Sequence, residues 1–527
     1  MKKILFLILL FSTIVLSQNF PLTYKLDENE FSKESAETPK SNSITDIIFV
    51  GDTVWIGTSR GISRSTDLGE SWTNFYETPE FGTDGIAAIG YSEGIFWAST
   101  ARYEDLSTGR EQVGTGLKYT TDGGTTWNTV PQPVDDPGDS LITYGINTIR
   151  ALPITVTPQN VTFDISFTPG TVWIASWSSG IRKSTNLGET WERVVLPPDY
   201  LDSIKPTDTL NFSLQVQPGE FGPESYLNHL GFSVLGVDEN IIYAGTAGGI
   251  NKSTDGGISW TKFNHQNQSK PISGNWVIGL ANNQFDNSVW AVTRKADDLN
   301  EFTGISASFN EGETWTTYLS GESANNIGFR YYKTNGALTK ADVLVSTTSG
   351  VFRSKNNYSS WILPMRVSDS ETGVYINTDN FYSADAENIN DNQTYVFLGS
   401  AGGLARLKET GNDFWFGDWK VYLASEELKD ESETYAFPNP FSPDHETVRI
   451  KYKFNDSSNQ VTLRIFDFGM NLVRTVIQNA DRFSNRDNFE FWDGRDEQKN
   501  VVPNGVYFYR IDVGGNEPLF GKILVMR

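Results

Sequence analysis

Residues 65–72 read S-T-D-L-G-E-S-W, and the chain returns to that pattern five more times. It recurs as T-T-D-G-G-T-T-W at 120–127, S-T-N-L-G-E-T-W at 184–191, S-T-D-G-G-I-S-W at 253–260 and S-F-N-E-G-E-T-W at 308–315. A worn copy, S-K-N-N-Y-S-S-W at 354–361, carries Tyr358 where the others have glycine. The chemistry is that of a tight turn. An Asp or Asn side chain (Asp67, Asp122, Asn186, Asp255, Asn310) accepts backbone N–H groups, expected two residues on. The glycine takes a positive φ. The tryptophan (Trp72, Trp127, Trp191, Trp260, Trp315) is expected to lie over the turn as an apolar lid. These residues build hairpins and are not catalytic.

Upstream of each copy stands a bulky strand: Val54-Trp55-Ile56, Phe96-Trp97-Ala98, Val172-Trp173-Ile174, Ile242-Tyr243-Ala244, Val289-Trp290-Ala291 and Val343-Leu344-Val345. A seventh, Tyr395-Val396-Phe397-Leu398, runs into Gly402-Gly403-Leu404 with no clean copy after it, and Trp419 stands where its strand would lie. Seven units follow, each of four short strands, over about 44–76, 86–130, 146–197, 230–263, 277–319, 325–364 and 374–424. This period reads as an all-β, seven-bladed propeller spanning 44–424. How the ring closes is left open, because the last unit has its own fourth strand.

The repeats resemble the Asp boxes of the bacterial neuraminidase repeat families, which include sialidases, two-domain xyloglucanases, sortilin-type receptors and a photosystem assembly factor. The resemblance implies the fold and leaves function open, since the box is structural wherever it occurs.

The ends of the chain add a compartment. Lys2 and Lys3, an apolar run from Ile4 to Leu16 and the small Ser17 read as a signal peptide over 1–17, followed by an extension over 18–43. The run is short for a bilayer span and no second one exists, so no integral membrane protein is expected. Export makes the net charge of −23 two units more negative by removing Lys2 and Lys3. Such acidity excludes a nucleic-acid partner. The absence of cysteine leaves packing alone to hold the fold. The three histidines, His229, His265 and His445, match no metal-ligand spacing, so neither metal nor cofactor is expected.

After a charged linker over 425–432, residues 433–527 carry six alternating strands, Val448–Phe454, Val461–Phe466, Leu472–Val476, Phe489–Trp492, Gly505–Val513 and Lys522–Met526. They read as a small immunoglobulin-like β-sandwich. Its landmarks P-N-P-F-S-P (438–443), I-F-D-F-G-M-N-L-V-R (465–474), W-D-G-R-D (492–496) and P-N-G-V-Y-F-Y-R (503–510) resemble the FlgD-type Ig-like domain. They also overlap the type A sorting domain of type IX secretion. That resemblance implies secretion or surface-attachment machinery as a partner and a secreted or cell-surface location. The family's I-Y-D-x-x-G has glycine three after the aspartate; here Gly469 lies two after Asp467. Asp493 and Asp496 offer calcium ligands or, more simply, solvated turn carboxylates.

Insertions concentrate on the face opposite the boxes: 101–116, 295–303 and the crossovers 131–145, 198–229 and 264–276. Long first hairpins are expected in units three (152–171), six and seven. Long loops on a rigid scaffold are where binding resides. At that mouth the second strands end in Arg60, Arg102, Trp177 and Arg294. The three arginines suit an anion, as in sialidases, but the F-R-I-P motif of that family is absent and no tyrosine–glutamate pair stands out. Glu104, Asp105, Asp297, Asp298 and Glu301 supply loop carboxylates for a glycosidase, with nothing marking a pair. Trp177, Trp276 and Tyr103 suit stacking on sugar rings. The expected function is a non-enzymatic binding module for glycan, peptide or protein, with a glycan-active hydrolase as the alternative.

Overall fold

The computed structural model describes residues 36, 38–214, 226–296, 299–355, 357–364, 366–370, 374–390, 393–409, 414–424, 434–437, 439–443, 447–455, 460–484 and 487–526. The signal peptide, most of the N-terminal extension, the linker 425–432, His445, Asp297 and Asp298 lie outside them. Two compact units divide the chain after Ala424.

In the first unit, seven antiparallel meanders follow one another over 44–75, 85–130, 162–193, 231–263, 276–318, 324–362 and 381–422, called here sheets one to seven. Each has four strands in sequence order, and Ser203–Ile204 adds a fifth to sheet four. First strand packs against first strand from each sheet to the next, and that of sheet seven returns to that of sheet one. The result is a β-propeller, whose radial arrangement leaves only short outer edges.

The third unit expected from sequence is corrected. Asn147–Ala151 is not its first strand: it pairs with Leu141–Tyr144 and Ser213–Leu214 in a separate small sheet built from the two crossovers. Sheet three begins at Thr162–Thr168 and turns directly into Thr171–Ser176, so 152–171 is no long hairpin. The alternation in 147–151, with Ile149 and Ala151 buried, satisfies the strand pattern but serves a lid packed on sheets three and four.

The boxes also differ from expectation in reach. Ser71 N donates to Asp67 Oδ1 at 2.8 Å and Gly69 N to Ser65 Oγ at 2.7 Å, so the carboxylate spans four residues rather than two. The same bonds recur around Asp122, Asn186, Asp255 and Asn310. Two successive residues take positive φ, as in Leu68 (57°) and Gly69 (90°). The Thr126 backbone and hydroxyl hold the Asp122 carboxyl down to about 2.

The box tryptophans are wedges between sheets rather than lids. Trp72 meets Phe397 and Tyr422 of sheet seven, Trp127 meets Trp55 and Phe75 of sheet one, and Trp260 shares a core with Trp173 of sheet three. Each box thus ties its sheet to the preceding one. Truncation of such a buried ring costs roughly 3–5 kcal/mol. The worn sixth box keeps the backbone, with Asn357 and Tyr358 at φ 52° and 66°, and Tyr358 fills the seam against Trp290 at 4.9 Å.

The ring closes without sharing a sheet between the two ends. Trp419 lies on a fourth strand, Gly417–Tyr422, that belongs to sheet seven. Across the seam Arg406 Nη1 donates to Leu68 O at 2.8 Å and to Glu70 at 2.6 Å, and Lys420 pairs with Glu70 at 2.9 Å.

The second unit has two antiparallel sheets around one core. Thr434–Phe437, Val448–Tyr452 and Asn488–Trp492 form one; Leu472–Asp481, Gln460–Phe466, Gly505–Val513 and Leu519–Val525 form the other. Thr434–Phe437 is a seventh strand beyond the six read from sequence, and it runs into the 438–443 landmark. In the 467–471 turn, Asn471 N donates to Asp467 Oδ1 at 2.8 Å, and Met470, three after Asp467, takes φ 61°. Asp496 accepts the backbone of Gln498 and Asn500, and Asp493 faces Arg495 at 3.9 Å, so both work as turn carboxylates.

Candidate functional site

The mouth opposite the boxes is set by a backbone feature shared by all seven first strands. Each skips one residue in its pairing with the second strand: Thr45, Ala87, Phe163, Phe232, Ile278, Asn325 and Tyr382. A bulge of this kind frees one side chain from the pleat and re-aims it. The crossovers enter at the same end, so the seven skipped residues rim the mouth.

Along sheets three to five the rim is aromatic. Phe163 meets Trp177 at 6.3 Å, Trp177 meets Phe232 at 5.4 Å, and Phe232 meets Trp276 at 6.0 Å. Leu230, Ala247 and Leu227 pack against them, together with Ile278, the skipped residue of sheet five. Trp177 and Trp276 are half-buried, so part of each ring faces outward. Sheets six and seven are polar here: Asn325 Nδ2 donates to Phe381 O at 2.7 Å, and Asn380 Nδ2 to the Tyr382 hydroxyl at 3.3 Å.

The sequence candidates fall apart into two groups. Trp177 and Trp276 join through Phe232. Tyr103 lies apart from that pair but still within reach of the rim residue Tyr382, on the long ribbon Ile95–Leu106 and Gly109–Thr120, with Arg110 over its ring at 5.2 Å. Burial raises its hydroxyl pKa, and it acts in turn on Tyr382 of sheet seven, whose own burial pushes it up to about 12.

Each arginine is engaged with its own neighbours. Arg60 lies over Tyr76 at 6.0 Å. Arg102 pairs with Glu104 at 2.6 Å and Asp84 at 3.4 Å. Arg294 Nη2 donates to Ala324 O at 2.9 Å and Asn325 Oδ1 at 3.2 Å. Among the loop carboxylates, Glu301 is 4% exposed and accepts from Asn275 and Ala296 backbone and from Asn275 and Gln266 side chains. It organises its loop. Asp105 is exposed on the ribbon. Among the described residues, no three His, Asp or Glu side chains are grouped to hold a metal ion, and no helix is long and apolar enough to cross a membrane.

Beneath the mouth, three aspartates staple neighbouring inner strands. Asp164 Oδ1 accepts from Ile165 N at 2.8 Å and Oδ2 from Val234 N of sheet four at 2.9 Å. Asp46 does the same for Ile47 and Ile89, and Asp385 for Ala386 and Phe329. Asn326 Nδ2 reaches Asp46 at 3.4 Å from sheet six. All three keep some accessible surface although they sit on the inner strands of the ring. Burial raises Asp46 and Asp164 to about 7 and Asp385 to about 8.

The bulge and the staples were missed from sequence. Once the first strands are aligned, their signal is visible as a small or polar residue before an aliphatic one: Asp46-Ile47, Ala88-Ile89, Asp164-Ile165, Ser233-Val234, Gly279-Leu280, Asn326-Ile327 and Ser383-Ala384.

No family model matches the chain. It is 31% identical over 124 residues to a probable oligoxyloglucan-reducing end-specific xyloglucanase of Neosartorya fischeri, covering 23% of this chain and 14% of that protein. The chain therefore spans only a small part of this relative's length. Among solved structures it is similar to YCF48 from Cyanidioschyzon merolae, at 15% identity over 71% of this chain and 93% of that one, with a TM-score of 0.38. It is also similar to an ancestral GH74 enzyme, at 14% identity over 92% and 62%, with a TM-score of 0.49. PorZ, a surface component of the type IX secretion system of Porphyromonas gingivalis, is similar at 13% identity over 92% and 66%, with a TM-score of 0.34.

Proposed function

We propose that this chain is an exported or cell-surface protein whose seven-bladed Asp-box propeller is a non-enzymatic binding module. Its ligand, a glycan, peptide or protein, lies across the mouth opposite the boxes. The observation that carries this reading is the arc Phe163–Trp177–Phe232–Trp276, apolar and partly open on a strongly acidic chain. Large rigid rings supply contact area at small entropic cost. Arg102, Arg294 and Glu301 are engaged with neighbouring side chains or backbone, which argues against their forming an anion site or a catalytic pair.

The test is a binding screen of the full exported chain against glycans and peptides, with Trp177→Ala and Trp276→Ala beside it. Loss of binding in both variants at unchanged melting temperature supports the mouth; undiminished binding moves the site elsewhere. A second reading, a glycan-active hydrolase with its centre at the same mouth, draws on the xyloglucanase relative. Release of reducing sugar by the purified chain would establish it.

The 433–527 unit is proposed as a FlgD-type Ig-like domain acting in type IX sorting or surface attachment, on the strength of its four landmarks. Deleting it should strand the protein in the periplasm after removal of residues 1–17. Normal secretion of the truncated chain would remove the sorting role.

A further inference from the structure

The larger sheet of the second unit has one face in the core and one turned away from it. Side chains alternate along a strand, so the burial of Leu463, Ile465, Tyr509 and Ile511 in the core puts Arg464, Phe466, Phe508 and Arg510 on the other face. That face carries rings. The Phe468 ring lies 6.3 Å from that of Phe508, and Arg510 lies over Phe520 at 5.7 Å. Phe468 is 78% exposed and Phe520 58%, and Met470 and Leu472, which follow Phe468, are exposed as well. Exposed apolar side chains grouped in this way mark an interaction surface.

The same face carries an excess of positive charge. Arg464 and Arg510 stand directly opposite each other on paired strands, where like charges repel. Both lean on one carboxylate, Asp512, at 3.1 Å and 2.6 Å. Lys522, opposite Phe508 on the last strand, is exposed and makes no ion pair among the described residues. On Gln460–Phe466, Gly505–Val513 and Leu519–Val525, three cations thus stand against one carboxylate. Asp467, just beyond them, is taken up by Asn471 of its own turn. The contrast with the rest of the chain is large. Residues 433–527 hold 12 Lys and Arg against 13 Asp and Glu, where the whole chain holds 42 against 65. Charges more than about 8 Å away are largely screened at physiological salt, so this face acts by its own charge.

We propose that this sheet face docks on an anionic lipid surface, with Phe468 and Phe520 entering the headgroup boundary and Arg464, Arg510 and Lys522 pairing with lipid phosphates. The inference rests on the second unit serving in surface attachment, and it names the surface. Aromatic rings beside long cationic side chains suit a membrane–water boundary, where the rings meet the acyl region and the charges stay among the phosphates. Guanidinium forks bind phosphate bidentately, and a phosphate beside Arg464 and Arg510 offsets the repulsion that Asp512 alone only half relieves. A soluble acidic polysaccharide would satisfy the cations and leave the exposed rings in water.

The test floats the full exported chain with vesicles of phosphatidylcholine alone or mixed with phosphatidylglycerol. Phe468→Ser and Lys522→Gln are compared with wild type after their melting temperatures are shown to agree. Wild type should bind the anionic vesicles, bind the neutral ones about tenfold more weakly, and be released by high salt. Lys522→Gln should weaken binding about fivefold and Phe468→Ser about tenfold. No binding, no preference for anionic vesicles, or binding indifferent to either substitution overturns the proposal. So does a dimer that Phe468→Ser abolishes in place of vesicle binding, which assigns the face to a second copy. Deletion of residues 433–527 keeps the underlying reading separate. If the truncated chain is stranded in the periplasm while the full chain ignores vesicles, the docking face falls and the sorting role stands. If the truncated chain is secreted normally while the full chain binds anionic vesicles through Phe468 and Lys522, the sorting role falls and the docking face stands.

Discussion

Asp164 in the first strand of sheet three takes the Val234 N–H of sheet four at 2.9 Å, so a side chain completes a hydrogen bond between two inner strands of the ring. Asp46 and Asp385 make the equivalent tie at two other seams.

These staples set a pH dependence. Burial raises Asp46 and Asp164 to about 7 and Asp385 to about 8, so the folded state holds protons that the unfolded chain releases near 4. Their contribution is complete below the unfolded pKa and is lost as pH rises through the folded values. At about 1.4 kcal/mol per unit, the upper bound across that window is about 4 kcal/mol for Asp46 and Asp164 and about 6 kcal/mol for Asp385. Thermal midpoints of the chain should therefore fall from pH 5 to pH 8.5, and Asp164→Asn should show a shallower fall than wild type. A flat profile for wild type would refute the assignment.

The two glycines of one box should answer differently to a methyl group. A Cβ on Gly257 (φ 81°) would meet Trp173 Cη2 at 2.5 Å, whereas one on Gly256 (φ 71°) meets only Glu239 O at 3.4 Å. Gly256→Ala should cost about 1 kcal/mol, from backbone strain alone. Gly257→Ala adds an overpacked seam and should cost about 2–4 kcal/mol. Denaturant melts of the two variants give the comparison, and equal losses would sink the wedge account.

The closing seam gives an asymmetric pair. Arg406 is nearly buried, while the Glu70 side chain is 59% exposed. Arg406→Ala should cost about 2–4 kcal/mol, because Leu68 O loses its donor and the seam loses its packing. Glu70→Gln should cost less than about 1 kcal/mol and become silent in high salt.

In the second unit, Met470 holds φ 61° and is 59% exposed. Met470→Gly should stabilise that unit by about 1 kcal/mol, since little packing is lost and the left-handed strain is relieved. A lowered unfolding transition for that unit would refute this.

Much of the ring was readable because its parts are local. A box such as 253–260 closes on itself through Ser253 and Asp255, so eight residues of sequence contain the whole turn. The facing of the loops then follows from strand order. What could not be read depends on partners distant in the chain. Trp260 looks like a lid until Trp173 is seen beside it. Asn147–Ala151 has the alternation of a blade strand, and only its pairing with Ser213–Leu214 reveals a lid. In the candidate site, Trp177 and Trp276 stood out as tryptophans outside the repeat, but Phe232, which joins them, looks like any core phenylalanine.

The skipped residue in every first strand frees the rim from the pairing rules of the sheet. Thr45, Ala87, Phe163, Phe232, Ile278, Asn325 and Tyr382 sit outside the ladder, so none is chosen for cross-strand fit. Seven positions of equivalent backbone thus surround one opening; those of sheets three to five are packed together around Trp177 and Trp276, whereas Thr45 and Asn325 each bond to the backbone of the next sheet. The rim can therefore change its side chains without touching the strand ladders, while the clasps on the far face keep assembling the same ring.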